Sequence, residues 1–266
     1  MSCEIALIGF GEAGSAFAAA GAWEARACSF DLAADRRAVM AAHGVTPCAS
    51  PAAALAGAPL VLSLVTADQA LAAAEAYAPY LAPGALWCDG NSVAPETKRA
   101  AAAAVHAAGG RYIDMAILAP VDPARLGVPV LLAGAAASEA QADLAALGFS
   151  NIRVAGAEVG RASAIKMIRS VMVKGIEALT DEMMAAAAAA GVTDEVLASL
   201  DASERQQDWA ARAAYNLERM ATHGLRRAAE MEESAKTLAA LGVDPLMTRS
   251  TVQRQRAAAA KKDRAA

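Results

Sequence analysis

Residues 4–14 read EIALIGFGEAG, an apolar run that breaks into a glycine-rich turn. Ile5 to Ile8 form a short apolar run of the kind found in a strand buried on both faces. GFGEAG, Gly9 to Gly14, breaks that run, and a small-residue segment with helical character follows it. Glycines at this spacing allow a tight turn, close approach of backbone to a pyrophosphate, and packing of helix against strand. A helix that opens there turns its free N–H groups and the positive end of its dipole toward a phosphate. The motif alone is a weak signal in a chain rich in alanine and glycine. Asp31 strengthens it, because it ends the next strand-like run, ACSFD, where a carboxylate accepts hydrogen bonds from ribose hydroxyls.

The rhythm continues along the chain. APLVLSLVT, ALWCDGN, RYIDMAI, VPVLLAG and NIRVAG read as strands separated by helical segments, which predicts an α/β fold with a Rossmann-type doubly wound parallel sheet. From Arg161 the pattern is helical, with breaks expected at Gly191, near Ser199 to Ser203, and at Gly242 to Pro245. The expected organisation is therefore a dinucleotide-binding domain over residues 1–157 and an all-helical substrate and dimerisation domain over residues 158–266. A long helix to about Ala190 would join them. The tail RQRAAAAKKDRAA reads as frayed.

Composition narrows the function classes. The chain has 266 residues, 56% hydrophobic but only 4% aromatic, which suits helix-rich packing around small side chains. A net charge of −4 supplies no basic field for nucleic acid. The longest charge-free run, between Arg37 and Asp68, is broken by Pro47, Pro51 and Pro59, so no membrane-spanning helix is expected. The N-terminus enters a strand without a basic leader, which points to the cytoplasm. Cys3, Cys28, Cys48 and Cys88 show no ligand spacing, so buried thiols are expected and no metal.

In a doubly wound sheet the ligand lies beyond the carboxyl ends of the strands. The candidate dinucleotide contacts are thus Gly9, Phe10, Gly11, Glu12, Ala13 and Gly14 in the glycine loop, Asp31 after the second strand, and Val65, Thr66 and Asn91 after later ones. Asp31 would repel a 2′-phosphate and so favours NAD over NADP, although Arg36 and Arg37 just downstream could reach one. Asn91 and Ser92 offer an amide and a hydroxyl for a carboxamide or substrate oxygen. An ordinary Asx turn is the plain alternative.

RASAIKMIRSVMVKG, residues 161–175, puts Lys166, Arg169 and Lys174 into an apolar helix. Lys166, Ser170 and Val173 share one stripe, with Arg169 about 60° away. A solvated face with snorkelling side chains would produce the same pattern. The functional reading makes it the wall of a cleft, where Lys166 takes a hydroxyl proton and Arg169 holds a substrate carboxylate. A lysine acts as a base only when neutral, and moving its pKa from about 10.4 to about 7 requires roughly 4 to 5 kcal/mol.

With these segments in order, the chain resembles the β-hydroxyacid dehydrogenase superfamily, which includes 3-hydroxyisobutyrate and 6-phosphogluconate dehydrogenases. The resemblance rests on GFGEAGSAFA, LSLVTADQA, WCDGNSVAPETK, RYIDMAI and VGRASAIKMIRS. RMATHGLRRAAEMEESAKTLAALGV is similar to a subgroup with a phosphogluconate-dehydrogenase-like helical domain. The resemblance implies NAD or NADP as cofactor, a catalytic lysine at Lys166, nicotinamide or substrate contacts at Asn91 and Ser92, and a homodimer or higher oligomer. Two positions depart from the pattern. Ser170 stands where the family commonly has Asn, and Leu118-Ala119-Pro120 stands where it often has a carboxylate-binding Ser-Gly-Gly loop. Either Arg169 replaces that grip or the substrate is less anionic.

His223, Arg226 and Arg227 form a cationic group that reads either as surface charges paired with Glu230, Glu232 and Glu233 or as substrate contacts. Trp209 and Tyr215 read as core packing, with a pocket lining as the alternative. The function expected is an NAD(P)-dependent oxidoreductase of a small hydroxy acid or related alcohol, with Lys166, Asn91 and Ser92 catalytic and Arg169, Ser170 and His223 on the substrate. Alternatives are an imine reductase on the same fold and a non-catalytic dinucleotide-binding protein. Oxidative decarboxylation of a phosphorylated sugar acid ranks lower, because one cationic group alone is available for the phosphate.

Overall fold

The computed structural model describes residues 3–203 and 209–263. By compactness the chain divides into two units, Met1–Arg169 and Ser170–Ala266.

In the first unit, strands β1 (Ile5–Ile8), β2 (Ala27–Phe30), β3 (Thr46–Pro47) and β4 (Leu60–Ser63) alternate with helices α1 (Glu12–Gly21), α2 (Arg36–Ala42) and α3 (Pro51–Leu55). Then come α4 (Ala70–Tyr77), β5 (Leu86–Asp89), α5 (Pro95–Ala107), β6 (Arg111–Ile117), β7 (Val130–Ala133), α6 (Ala137–Ala146) and β8 (Ile152–Gly156). They form one sheet in the order β3-β2-β1-β4-β5-β6-β7-β8. Successive strands run outward from β1 in one direction and from β4 in the other, so the crevice of the doubly wound fold opens at the carboxyl ends of β1 and β4.

The strands read as continuous apolar runs because helices cover both faces. The two-residue alternation along each strand divides the core accordingly. Leu7, Leu62, Cys88, Ile113 and Met115 pack on one face with Phe17 of α1 and Leu144 of α6. Ala6, Ile8, Val61, Trp87 and Tyr112 pack on the other with Ala74 of α4 and Val105 of α5.

The sheet departs from the expected all-parallel pairing at one place: β7 runs antiparallel to β6. The connection from Leu118 to Pro129 holds a single short 3₁₀ turn, Arg125–Gly127, and no crossover helix. A parallel partner would need a crossover of a dozen or more residues, usually helical, so the chain turns back instead. β3 and α3 are also additions to the sequence reading, too short for periodicity to reveal.

The second unit holds most of α7 (Arg161–Ala190), together with α8 (Thr193–Ser203), α9 (Trp209–Ala240) and α10 (Leu246–Asp263). Glu182 ties α7 to α10. Its carboxylate accepts from Met247 N at 2.7 Å, Thr248 N at 2.9 Å and Thr248 Oγ1 at 2.6 Å, and so satisfies otherwise orphaned amides of the first turn of α10. An apolar cavity of about 560 Å³ within this unit is lined by residues including Leu179, Met183, Val196 and Leu238. α8 ends at Ser203, and residues 204–208, next to the expected break, lie outside the described residues. One expectation needs correction: the tail expected to fray is helical as far as Asp263, residues 264–266 lying outside the described ones. Alanines 257–260 have the highest helix propensity, and Val252 and Ala259 are buried, which outweighs the polar tail composition. No helix of the described residues is long and apolar enough to cross a membrane.

Candidate active site

The site is built where the glycine loop meets the ends of β4, β5 and β6. Gly9 adopts φ +90°, and a Cβ placed on it would lie 2.5 Å from the carbonyl oxygen of Leu64. Only glycine lets the loop rest so closely on the end of β4. Gly11 is different. Its φ is −76°, and an added Cβ would meet nothing within 4 Å. No side chain caps α1, so its first turn is open on that side. Together these features fit a pyrophosphate: open space over Gly11 and uncapped amides at a helix N-terminus.

Asp31 fastens this cradle. Its Oδ2 accepts from Phe10 N at 2.7 Å and its Oδ1 from Ala33 N at 2.8 Å. A carboxylate offers about four acceptor positions, so capacity remains for ribose hydroxyls. Arg36 and Arg37 open α2, half-buried and exposed respectively. Thr66 precedes a short 3₁₀ turn, Ala67–Gln69, while its neighbour Val65 reaches the cavity described next.

A cavity of about 480 Å³ lies along the strand ends. Glu12 and Ala13 of α1 form one side, and Leu64, Val65 and Ala67 continue from β4. Gly90, Asn91 and Ser92 follow β5, and Ile117, Ala119, Pro120 and Val121 close the wall after β6. Lys166, half-buried in the first turns of α7, completes it. Its Nζ donates to Ser92 Oγ at 2.5 Å, joining residues 74 positions apart. Asn91 is 5% exposed. Its Nδ2 donates to Ser63 Oγ at 3.2 Å, while its Oδ1 is buried without a hydrogen-bond partner. A buried acceptor left in that state marks a place for a donor from outside the chain.

Arg169 Nη1 donates to Leu118 O at 3.1 Å, so the guanidinium holds the segment that carries Leu118-Ala119-Pro120. Ser170 and His223 belong to the second unit, half-buried on α7 and exposed on α9. Tyr215 is 49% exposed, with its hydroxyl accepting from Arg219 Nη1 at 2.7 Å, so the expected core packing fails there. The amphipathic spacing of α9 leaves Tyr215 on its outer face. The side chains of Lys174, Trp209, Glu230, Glu232 and Glu233 lie outside the described residues. Cys28 and Cys88 are buried thiols as expected, whereas Cys3 and Cys48 are half-buried. Burial, with smaller contributions from Asp143 and Asp89, pushes the Cys88 thiol up to about 12.

The sequence reading missed a buried polar cluster behind the site, formed by Asp89, Lys98, Tyr112, Asp114 and Ser163. Tyr112 Oη donates to Asp89 Oδ2 at 2.5 Å; burial first, then the Asp89 charge, raise its hydroxyl well above the usual range. The signal was present: Asp114 interrupts an apolar strand, and a carboxylate is almost never buried without a partner.

Residues 4–152 match the family described as the NAD binding domain of 6-phosphogluconate dehydrogenase. The chain belongs to that family. Residues 187–258 match a second one, a domain of unknown function, DUF1932. Together they put the protein in the β-hydroxyacid dehydrogenase superfamily, in the subgroup with this helical domain, and give it an NAD(P)-binding domain of dehydrogenase type. Among solved structures, a conserved hypothetical protein from Sinorhizobium meliloti 1021 is 39% identical over 98% of this chain and 89% of its own, with TM-score 0.64. Conserved protein MTH1747, reported as structurally similar to 3-hydroxyacid dehydrogenases, is 29% identical over 97% and 96%, with TM-score 0.64. A Streptomyces aurantiacus imine reductase is 21% identical over 98% and 95%, with TM-score 0.77, a likeness of fold. A curated relative, an uncharacterized 28.5 kDa protein in the 7S RNA 5′ region of Methanothermus fervidus, is 30% identical over 145 residues. That match spans 54% of each, so the chain spans about half the length of the curated relative it matches.

Proposed function

We propose that this protein is an NAD(P)-dependent oxidoreductase that interconverts the hydroxyl and carbonyl forms of a small hydroxy acid or related alcohol, with Lys166 as general acid and base. The observation that carries this is the Lys166 Nζ to Ser92 Oγ hydrogen bond, 2.5 Å long, at the wall of a cavity that also touches the open turn of α1. When bound, the dinucleotide would serve as the two-electron acceptor or donor. The glycine loop, Gly9 to Gly14, would hold its pyrophosphate, Asp31 its ribose, and Val65 and Thr66 the edge of the crevice. Asn91 Oδ1 would accept from a carboxamide or substrate N–H or O–H, which gives its orphaned lone pairs a partner. In the oxidation direction Lys166 Nζ takes the proton of the substrate hydroxyl while Ser92 Oγ keeps the amine aimed at it; in reduction Nζ returns the proton.

Arg169, tied to Leu118 O through one nitrogen, keeps further donors for a substrate carboxylate. Ser170 and His223 are proposed as substrate contacts from the helical domain. We also propose a second copy of the chain as partner, since Ile168, Val171, Met172, Ile176 and Leu179 are exposed along α7, an apolar row that association would bury.

A second reading, reduction of an imine to an amine, is favoured by one feature: Leu118-Ala119-Pro120 brings no hydroxyl or charged donor to the cavity wall. A panel of hydroxy acids, sugar acids, aryl-propanediols and cyclic imines, assayed with both dinucleotides for wild type and Lys166→Ala, separates the readings. Hydroxy-acid turnover lost in Lys166→Ala with dinucleotide binding kept supports the first. Turnover on imines alone favours the second, and binding without turnover on any substrate sinks both.

A further inference from the structure

The cluster behind the site does not touch the cavity, yet both partners of the Lys166–Ser92 hydrogen bond trace back to it. Asp89 and Asp114 are register partners on the parallel pair β5–β6, so two carboxylates lie side by side inside the sheet. Their side chains are 1% and 0% exposed. Two adjacent buried anions are untenable without a cation. Lys98 supplies it from α5, itself 0% exposed. Its Nζ donates to Asp89 O at 2.5 Å, Asp89 Oδ1 at 3.0 Å and Met115 O at 3.5 Å, and lies 3.8 Å from Asp114 Oδ1. All three ammonium protons go to Asp89 O, Asp89 Oδ1 and Met115 O, so the hold on Asp114 is electrostatic: its Oδ1, 3.8 Å away, accepts no hydrogen bond.

Each carboxylate then governs one half of the site. Asp89 Oδ1 also accepts from Asn91 N at 2.9 Å, which sets the turn that presents Asn91 and Ser92. Asp114 Oδ2 accepts from Gly160 N and Ser163 N, both at 3.0 Å, and from Ser163 Oγ at 3.1 Å. A carboxylate on those amides caps the N-terminus of α7 and fixes where the helix begins. Lys166 follows Ser163 by one turn on nearly the same face. One ammonium therefore hydrogen-bonds the anchor of the Ser92 turn and attracts the anchor of the Lys166 helix across 3.8 Å, which sets the separation of the two.

We infer that Lys98 is a positioning residue: by bridging Asp89 and Asp114 it registers Ser92 against Lys166, and through that distance it sets the rate of turnover. The rate claim rests on the function proposed above; the registration does not. Loosening such a contact by about 1 Å is enough to cost about 100-fold in rate.

The test is Lys98→Met, which keeps the stem volume and removes the charge. Three readouts are needed on the folded full-length protein: dinucleotide Kd, kcat and KM on a substrate from the panel, and acetic anhydride labelling of the Lys166 amine at pH 8. The label is located by peptide mass spectrometry and scaled to the other lysines. The expected result is kcat reduced about 100-fold with KM and Kd within about threefold, and Lys166 labelling at least about threefold faster once Ser92 no longer holds it. A folded variant with wild-type kcat and wild-type Lys166 labelling overturns the inference. Changed labelling in a protein that turns over nothing, in wild type or variant, upholds the registration and overturns the function proposed for Lys166. If Lys98→Met does not fold, Lys98→Met with Asp114→Asn removes one cation and one anion together, and its Lys166 labelling decides by the same criterion.

Discussion

Gly11→Ala separates what the glycine loop does for the fold from what it would do for a ligand. The residue sits at φ −76°, a conformation alanine accepts, and an added Cβ meets no atom within 4 Å. The folded state loses only glycine's preference over alanine at an N-cap, which offsets the gain of about 0.4–1 kcal/mol from the reduced freedom of the unfolded chain. The melting temperature should therefore stay within about 3 °C of wild type. The methyl would occupy the space that the proposed site leaves for a pyrophosphate. Forfeiting one charge-assisted N–H to phosphate bond costs about 1.5–3 kcal/mol, so the dinucleotide Kd should rise about 10- to 150-fold. Thermal denaturation followed by circular dichroism gives the first number, and calorimetric titration with NAD⁺, NADH and NADPH the second. Gly9→Ala is the control with opposite behaviour. Its φ of +90° and the 2.5 Å approach to Leu64 O make it destabilising by more than about 2 kcal/mol. If Gly11→Ala binds dinucleotide as tightly as wild type, the loop is not the phosphate cradle and the reasoning fails.

Other substitutions probe the remaining parts. Lys166→Met should lower kcat by about 10²- to 10⁴-fold while leaving the dinucleotide Kd within about twofold, measured by steady-state kinetics and fluorescence titration. Asp31→Asn removes the charge from the two bonds that hold Phe10 N and Ala33 N, so both melting temperature and dinucleotide affinity should fall, the latter about tenfold. Burial alone would raise the Glu182 carboxyl, but hydrogen bonds from Thr248 and the Met247 and Thr248 amides more than offset it and hold it below the ordinary 4.5. Its stabilisation is thus fully present above pH 4.5 and is lost as pH falls through the depressed folded value. Glu182→Gln should flatten that part of the acid dependence in urea unfolding, and cost about 1–3 kcal/mol at pH 7. A pH dependence identical to wild type would remove Glu182 from the account.

Much of the dinucleotide-binding fold was legible because its signals are local. An apolar run ending in GFGEAG and a second run ending in Asp31 carry period, turn chemistry and helix start within a few dozen residues. RYIDMAI was visible as a strand, and β6 has those bounds, but its antiparallel partner was not, since strand direction depends on how the chain between Leu118 and Pro129 returns. Asn91 and Ser92 stand out by strand-end position, and Lys166 as a cation in an apolar helix and through the family resemblance. That Nζ of one meets Oγ of another follows from packing across 74 positions, which no spacing encodes. The cluster around Lys98 was hidden for a similar reason: a lysine in PETKRAAAAAV looks like any exposed helix position until the helix is laid on the sheet.

Local sequence thus carries the strand–loop–helix that opens the chain, the acid that follows it, the helical character of the second half, and the residue types from which a redox site could be made. Long-range packing alone settles which of those residues share a cavity, that Asp31 also ties down Phe10 N, and that Asp89 and Asp114 lie side by side with Lys98 close to both. Periodicity and turn chemistry act over a few bonds, where the chain's own geometry imposes them. Buried charges and hydrogen bonds between distant residues arise only when packing excludes water and leaves each polar group to find a partner inside.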